Sequence, residues 1–351
     1  MEAKKELIIV LGQPLHFAHM SKIYIISPSG AVRDKRTFQR GVKLLKSWGH
    51  EVELDPSVLS AHQRFAGDDS ARLGSIERAC AAQADVVLTS RGGYGLSRLL
   101  PHLAYAKIKK AIERGTRFIG LSDFTAFENA VLAKTQQVTW SGPSIMDDLA
   151  SDQPDEITLA CLNDVIESQS EGTGWTMSRV HERSFVSESD PKVVKKSLLA
   201  KDALLWGGNL SVLCSLVGTP FLPAVKGGVL FLEDLAEHPY RIERMLTQLL
   251  HSGVLSQQKA IVLGQFTHYK LTPHDRGFDM AAVVSYLRAQ TRVPVLTDLP
   301  FGHVPLKVCL PVGRRVSLVK DERDVYLLWP HEHHGHGSKS SPHGSARHAH
   351  P

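Results

Sequence analysis

Strand-like and helix-like segments alternate from residue 22 to residue 143, and this pattern restricts the fold more than any other feature of the sequence. Short apolar runs such as ADVVLTS and TRFIG have the length and composition of buried strands. Segments with helical periodicity lie between them, and Gly, Pro or Ser marks the junctions. Such alternation is typical of a parallel sheet covered by helices on both faces, so we predict an α/β domain over 22–150.

A second set of strand and helix patterns follows in the last part of the chain, over 201–330. It includes the strand-like run GVLFLED and a helix-like segment from Pro239 to Leu250. Between the two sets, 151–200 is rich in Ser, Glu and Gly, which predicts an interdomain connection with one helix, Glu156 to Glu167. A chain of 351 residues is long enough for two domains. We therefore predict a second, smaller domain over 201–330.

The composition is that of an ordinary globular protein. Hydrophobic residues make up 42% of the chain and charged residues 22%. The net charge is +5, and the basic residues are scattered rather than gathered in a stripe with aromatic residues. This distribution argues against nucleic acid as a partner. No apolar run approaches the ~20 residues that span a bilayer, so we expect no membrane anchor.

The cysteines and the two ends of the chain bear on its location. The four cysteines are Cys80, Cys161, Cys214 and Cys309. They are far apart, lack metal-type spacing and lie in apolar surroundings, as reduced thiols of a cytoplasmic protein do. Residues 1–21 form an N-terminal extension without a signal-peptide cleavage site. Residues 331–351 hold seven histidines among Gly, Ser and Pro, which predicts a disordered tail without a specific metal site.

Ser122 lies where the strand-like run Phe118 to Leu121 meets a helix-like segment. In open α/β sheets reactive groups collect at the carboxyl ends of strands, and a serine on a tight strand-to-helix turn is held out over the sheet. The backbone N–H of Asp123 would point into the same space, as half of an oxyanion hole. The local sequence GLSDF lacks the second glycine of the usual nucleophile motif, and a helix cap is the alternative.

A glycine-rich loop, SRGGYG at 90–95, also follows a strand. Its glycines allow a ligand to approach the backbone closely, with N–H groups exposed. The loop has neither the lysine of a phosphate loop nor the spacing of a dinucleotide motif, so a nucleotide site is disfavoured. Two alternatives remain: a simple turn, and a loop that supplies the second oxyanion donor.

Two residues at strand ends in the second half could complete a nucleophilic site. A reactive serine needs a base, and the base needs an orienting acid. Glu233 ends the apolar run in GVLFLED, where a carboxylate is costly to bury without a partner. His303, in LPFGHVPLK, is the obvious partner. Each has an ordinary alternative, since Glu233 could pair with Arg241 or Arg244 and His303 could be purely structural.

Taken together, these segments resemble those of a known family. The motifs occur in order and with sensible spacing from Ile23 to Trp329: RGGYGLSRLLPHL, GLSDFTAFENAVLAKT, WGGNLSVLCSLVGTPFLP, GGVLFLEDLAEHPYRIERMLTQLLHSGVL, AIVLGQF and LPFGHV. The chain is similar to the serine LD-carboxypeptidases, the muramoyltetrapeptide carboxypeptidases of bacterial murein recycling. The resemblance implies a flavodoxin- or amidotransferase-like N-terminal domain and a smaller C-terminal domain with a swivelling β/β/α core.

The resemblance also implies which residues act. Ser122 would be the nucleophile, Glu233 the acid of the triad and His303 the general base. The backbone N–H groups of Asp123 and Gly93 would be the oxyanion donors. The implied reaction releases the terminal D-alanine from a muramoyl tetrapeptide in the cytoplasm, by a homodimer that needs no metal or organic cofactor.

Recognition of the substrate carboxylate calls for a cation, and Arg91 beside the glycine loop is our candidate. A guanidinium binds a carboxylate through two parallel hydrogen bonds; the alternative is a salt bridge that braces the loop. Two other functions stay open. One is a self-immunity peptidase that cleaves peptidyl or aminoacyl nucleotides, with Trp175 as the stacking aromatic, and the other is a non-catalytic muropeptide-binding module.

Overall fold

A computed structural model describes residues 19–178 and 196–330 of the chain. Most of the predicted N-terminal extension and the whole histidine-rich segment 331–351 lie outside the described residues, as does part of the predicted connection. In the described part, no helix has the length and apolarity needed to cross a membrane. The four cysteines are free thiols.

The first half of the chain forms five strands and five helices that alternate as predicted. The strands are β1 (Lys22–Ile26), β2 (Glu51–Leu54), β3 (Val86–Thr89), β4 (Arg117–Gly120) and β5 (Thr139–Ser141). The helices are α1 (Lys35–Ser47), α2 (Asp69–Ala81), α3 (Leu96–Leu99), α4 (Tyr105–Glu113) and α5 (Phe124–Thr135). All five strands are parallel. Both faces of the sheet are covered, because along β3 Val86 and Leu88 enter one apolar core while Val87 enters the other.

The remaining elements mostly build a second, mixed sheet. The strands are β6 (Gly172–Thr176), β7 (Lys196–Asn209), β8 (Val229–Leu235), β9 (Ala260–Thr267), β10 (Val295–Leu296), β11 (Leu310–Val312), β12 (Arg315–Asp321) and β13 (Asp324–Leu328). The helices are α6 (Glu156–Ile166), α7 (Leu210–Ser215), α8 (Pro239–His251) and α9 (Met280–Gln290). The strand order is β10-β9-β8-β7-β12-β13-β6, in which β10 to β7 are parallel and the rest antiparallel. The predicted two-domain α/β fold is therefore confirmed.

The sequence did not predict the strand β6, and it did not predict which sheet β11 would join. The stretch interpreted as a connection contains β6, which forms the edge of the second sheet against β13. Its glycines and threonines give no clear strand pattern, and its pairing with β13 supplies the order instead. The short strand β11 leaves the second domain and joins the first sheet beside β5, so the first sheet has six strands in the order β11-β5-β4-β3-β1-β2. The predicted domain limits remain sequence predictions.

The two sheets meet through α5, which follows directly after Ser122. The Asn129 side-chain amide donates hydrogen bonds of 2.8 Å to the carbonyl oxygens of Gly207 and Thr125. The backbone N–H of Asn209 donates to the hydroxyl of Thr125 at 2.9 Å. Gly207 and Asn209 end β7, the strand beside β8. The helix behind Ser122 is thus attached to the sheet that carries Glu233.

Candidate active site

Ser122 lies in a strained turn between β4 and α5. Its φ is +67°, a left-handed conformation that costs a residue with a side chain about 1–2 kcal/mol. Its side chain is partly exposed, whereas both sequence neighbours are buried. Gly120 makes the turn possible, because a β-carbon there would lie 2.5 Å from the ring of Phe124. The turn therefore forms with one glycine, and Phe124 occupies the position of the missing second one.

Asp123 fastens this turn to two neighbouring loops. Its buried carboxylate accepts hydrogen bonds from the hydroxyl of Ser29 at 2.7 Å and from the backbone N–H of Leu96 at 2.9 Å. Burial raises the pKa of Asp123 although these bonds oppose the shift. Asp123 is the N-cap residue of α5, but its side chain makes no capping hydrogen bond. The helix-cap alternative thus does not explain the polar residues at this corner.

The glycine-rich loop runs directly beside Ser122. A β-carbon at Gly92 would lie 2.7 Å from the β-carbon of Ser122 and 3.0 Å from its hydroxyl oxygen. Gly93 has a φ of +118°, a region that favours glycine. Among the described residues, the backbone N–H groups of Gly93 and Asp123 donate to no acceptor. Both groups are therefore available to a ligand, and their role as oxyanion donors stays a prediction.

Glu233 and His303 lie together, as the sequence predicted for their positions. The carboxylate of Glu233 is fully buried at the end of β8, and its Oε2 is 2.8 Å from Nδ1 of His303. The side-chain amide of Asn209 donates to the other oxygen, Oε1, at 3.1 Å. Arg241 pairs with Glu237 instead, so the ion-pair alternative for Glu233 is wrong for that arginine.

The pKa of His303 is raised above its usual value. Burial works to lower this pKa, but the hydrogen bond and the negative charge of Glu233 outweigh it. Lys307 also lowers the pKa of His303, and Asp147 raises it. Because Glu233 occupies Nδ1, the other ring nitrogen, Nε2, is left for a reacting group.

A cleft of about 260 Å³ lies between the two halves of the site. It is lined by Leu121, the residue before Ser122, and by His303. At its base the ammonium group of Lys307 forms a buried ion pair with the carboxylate of Asp148, which joins the histidine loop to the first domain. No hydrogen bond within the described residues joins the hydroxyl of Ser122 to His303. The sequence did not single out Lys307 or Asp148, since their partnership spans 159 residues.

Arg91 is a half-buried cation at the edge of the glycine loop. A β-carbon at Gly30 would overlap its guanidinium, so the side chain lies flat against the backbone there. Burial lowers the pKa of Arg91, Asp147 opposes this shift, and two nearby arginines reinforce it. The guanidinium makes no hydrogen bond or ion pair with any residue that the structure describes. The bracing salt bridge considered as its alternative is therefore not formed within 19–178 and 196–330.

No group of three or more His, Cys, Asp or Glu side chains within 19–178 and 196–330 is arranged to hold a metal ion. A strained serine at a strand end beside free backbone N–H groups, in a chain that also holds a glutamate-bound histidine, is the set of groups that serine hydrolases use, and it indicates that class of protein.

Comparison with known proteins identifies the family. Residues 23–142 match the LD-carboxypeptidase N-terminal domain, and 202–318 match the LD-carboxypeptidase C-terminal domain. A muramoyltetrapeptide carboxypeptidase from Oxalobacter formigenes, known from its crystal structure, is 40% identical, with a TM-score of 0.75 over 89% of this chain and 99% of that chain. The chain belongs to the LD-carboxypeptidase family and is a serine-type carboxypeptidase.

Two further relatives have different described functions. The probable murein peptide carboxypeptidase of Bacillus subtilis is 27% identical over 86% of this chain and 90% of its own length. The microcin C7 self-immunity protein MccF of Escherichia coli is 23% identical over 91% of this chain and 95% of its own length. A structure of MccF in complex with aspartyl sulfamoyl adenosine has the same fold, with a TM-score of 0.74 over 89% of this chain and 97% of that chain, at 21% identity.

The contact between Gly92 and Ser122 predicts a strong effect of a single methyl group. In Gly92→Ala the new β-carbon displaces the serine side chain, and we expect kcat for carboxypeptidase activity to fall at least about a hundredfold, since a 1 Å misplacement costs that much. The fold should survive, because Gly92 does not have a positive φ. Gly74→Ala on α2 is the matched control, as its nearest neighbour is only the flexible Arg78 side chain. Equal kcat values for the two variants would contradict the prediction.

The raised pKa of His303 predicts the acid limb of the pH profile. A general base must be unprotonated, so kcat/KM should fall as the pH drops through a pKa higher than that of an ordinary histidine. In Glu233→Gln the raising interaction is lost, and we expect the limb to move to lower pH while kcat falls by about four orders of magnitude. Glu237→Gln, the same change at a nearby half-buried residue that pairs with Arg241 and not with His303, should leave the limb in place. An unmoved limb in Glu233→Gln would refute the assignment.

Proposed function

We propose that this enzyme hydrolyses the L,D amide bond that releases the terminal D-alanine from muramoyl tetrapeptides, with Ser122, His303 and Glu233 as its triad. The observation that carries the proposal is the strained Ser122, next to Leu121 of the cleft, together with a histidine in the same cleft whose Nδ1 is held by a buried glutamate. The 40% identity with a muramoyltetrapeptide carboxypeptidase supports the substrate class.

The mechanism follows from the roles of the three side chains. His303 removes the hydroxyl proton of Ser122 while the serine oxygen bonds to the carbonyl carbon, and Glu233 holds the imidazole and stabilises its charged form. The backbone N–H groups of Asp123 and Gly93 stabilise the oxyanion, each worth about a hundred- to thousandfold in rate. His303 then gives its proton to the departing amine of D-alanine. Water, activated by the same imidazole, hydrolyses the acyl-enzyme.

Arg91 binds the free carboxylate of the terminal D-alanine in this proposal. Its guanidinium lies beside the glycine loop with no protein partner in the described residues, and the next residue, Gly92, lies against Ser122. An unpaired guanidinium held half-buried gives a stronger ion pair than one in open solvent. Substrates without that carboxylate would lose this contact.

The cellular setting is part of the proposal and comes from the family resemblance. We place the reaction in cytoplasmic peptidoglycan recycling, carried out by a homodimer without a metal or organic cofactor. The free cysteines agree with a reducing compartment. Sedimentation of the purified protein would measure its oligomeric state.

Self-immunity against nucleotide-linked peptides is the second candidate function, because MccF shares the fold. The aromatic side chain considered for nucleobase stacking does not favour it. Trp175 lies in β6, is 4% exposed and donates its indole N–H to the carbonyl oxygen of Thr297 at 2.8 Å. A buried ring with its polar edge satisfied packs in the core and does not serve as a platform for a ligand.

Release of D-alanine from UDP-muramoyl tetrapeptide tests the proposed function. We expect the wild type to release D-alanine from the tetrapeptide and to release none from the pentapeptide or from a DD-linked peptide. Ser122→Ala should release no D-alanine, because the attacking oxygen is absent. A peptidyl sulfamoyl adenosine serves as the competing substrate. Preferential cleavage of the nucleotide would favour the immunity function, and tetrapeptide binding without turnover would favour a binding module.

Arg91→Ala tests carboxylate recognition. A hydrogen bond to a charged group contributes about 1.5–3 kcal/mol, so we expect KM for the tetrapeptide to rise about 10- to 150-fold with a smaller change in kcat. Arg98→Ala removes a nearby arginine that pairs with Asp69 outside the cleft, and its KM should stay near the wild-type value. An unchanged KM in Arg91→Ala would rule out the carboxylate contact.

A further inference from the structure

Glu128, in the middle of α5, is a buried acid that the chemistry of the site does not use. Its side chain is 0% exposed. An ionised carboxylate in such a place needs a cation or several N–H donors. Within the described residues its only polar contact is the hydroxyl of Ser141, 2.9 Å from Oε1 and 2.8 Å from Oε2. One hydroxyl group therefore faces both oxygens of the carboxyl group.

The number of protons in this contact indicates the charge of Glu128. The hydroxyl of Ser141 has one proton, which makes one linear hydrogen bond to one carboxyl oxygen. An ionised carboxylate brings no proton of its own, so its two oxygens would share the single hydroxyl proton in a bent and weaker arrangement. A neutral Glu128 donates its own O–H to Ser141 and accepts the hydroxyl proton on its other oxygen. The neutral acid therefore has a separate proton for each of the two contacts.

The electrostatic surroundings agree with this geometry. Burial raises the pKa of Glu128 to about 8, the hydrogen bond of Ser141 opposes the shift, and the charge of Glu233 adds to it. The other elements packed on this helix are α3, α4, α7, β7, β11 and the short 3-10 helix Leu100–His102. In the described part of the chain, neither His102 nor any other charged group of these elements acts on Glu128, so Glu233 is the one charge that does. At neutral pH the acid therefore keeps its proton.

The bond between Glu128 and Ser141 fixes the side of α5 that faces its own sheet. Ser141 is paired in register with Gly120, two residues before Ser122. Thr125 and Asn129, on a neighbouring face of the helix, bond to the end of β7. The helix that begins behind the nucleophile is thus held to both sheets, and the Glu128 proton forms one of the bonds.

We propose that Glu128 is a positioning residue that works as a neutral acid: its proton holds α5 against Ser141 and keeps Ser122 in reach of His303, and loss of that proton at alkaline pH inactivates the enzyme. Deprotonation breaks the Glu128-to-Ser141 hydrogen bond and leaves two carboxylates, Glu128 and Glu233, in one buried region. Their repulsion displaces the helix. The catalytic part of this inference rests on the proposed function.

The pH profile of D-alanine release tests the proposal. For the wild type we expect kcat/KM to fall at least about tenfold from pH 7.5 to pH 9.5, as the fraction of neutral Glu128 falls. Glu128→Gln keeps a donor and an acceptor for Ser141 but cannot ionise, so its ratio between the two pH values should stay near one. For Glu51→Gln, the same change on the exposed strand β2, kcat/KM should fall between the two pH values as it does for the wild type. A parallel fall in Glu128→Gln, or no fall in the wild type, would overturn the proposal.

Ser141→Ala removes the partner of the Glu128 proton. Because the hydrogen bond that holds α5 is then missing at every pH, we expect kcat/KM at pH 7.5 to lie about 2- to 10-fold below the wild-type value. A wild-type kcat/KM at pH 7.5 would contradict the positioning role of this contact. Ionisation of the substrate affects all variants equally and cancels in the comparison.

Thermal unfolding without substrate tests the protonation state independently of activity. An acid whose pKa is raised in the folded state binds its proton more tightly there, so stability falls as the pH rises from the unfolded pKa, near 4.5, to about 8. Glu128→Gln lacks this loss, and its Tm minus that of the wild type should grow from pH 5 to pH 8. A constant difference would overturn the proposal. A growing difference without any D-alanine release would refute the proposed function and still support a neutral Glu128.

Discussion

The attachment of α5 to the end of β7 is the contact on which the site depends. Ser122 belongs to the first sheet, whereas Glu233 and His303 belong to the second domain. Two hydrogen bonds from α5, through Asn129 and Thr125, bridge the domains directly behind the serine. Since β7 lies beside β8, the same contact sets the distance between the serine and the buried glutamate. The packing of the two domains therefore also determines the geometry of the candidate active site.

The candidate site contains several buried acidic groups, and each has a different partner. Asp123 is held by a hydroxyl and a backbone N–H, Asp148 by the ammonium group of Lys307, and Glu233 by His303 and an amide. Burial penalises a negative charge, and these partners offset the penalty. Among the residues that the structure describes, Glu128 has only a hydroxyl for a partner, so no cation offsets a negative charge there and the acid keeps its proton.

Much of the site could be anticipated because its residues lie at strand ends. Apolar runs followed by a polar residue mark Ser122 and Glu233, and in each of the two sheets such a residue lies at the carboxyl end of a parallel strand. Two other features of the fold could not be recognised in the sequence. The strand β6 is rich in glycine and threonine and takes its order from β13. The left-handed φ of Ser122 results from the tight turn at Gly120, which a residue type alone does not reveal.

The sequence by itself determined the alternation of strands and helices, the division into two α/β domains and the family. These features depend on the periodicity of apolar residues and on short motifs, which are local properties of the chain. The tertiary structure decided which distant groups meet. Glu233 and His303 are 70 residues apart, and Lys307 and Asp148 are 159 apart. The charge of a buried side chain depends on such neighbours, so the neutral state of Glu128 and the raised pKa of His303 became visible only in the folded molecule.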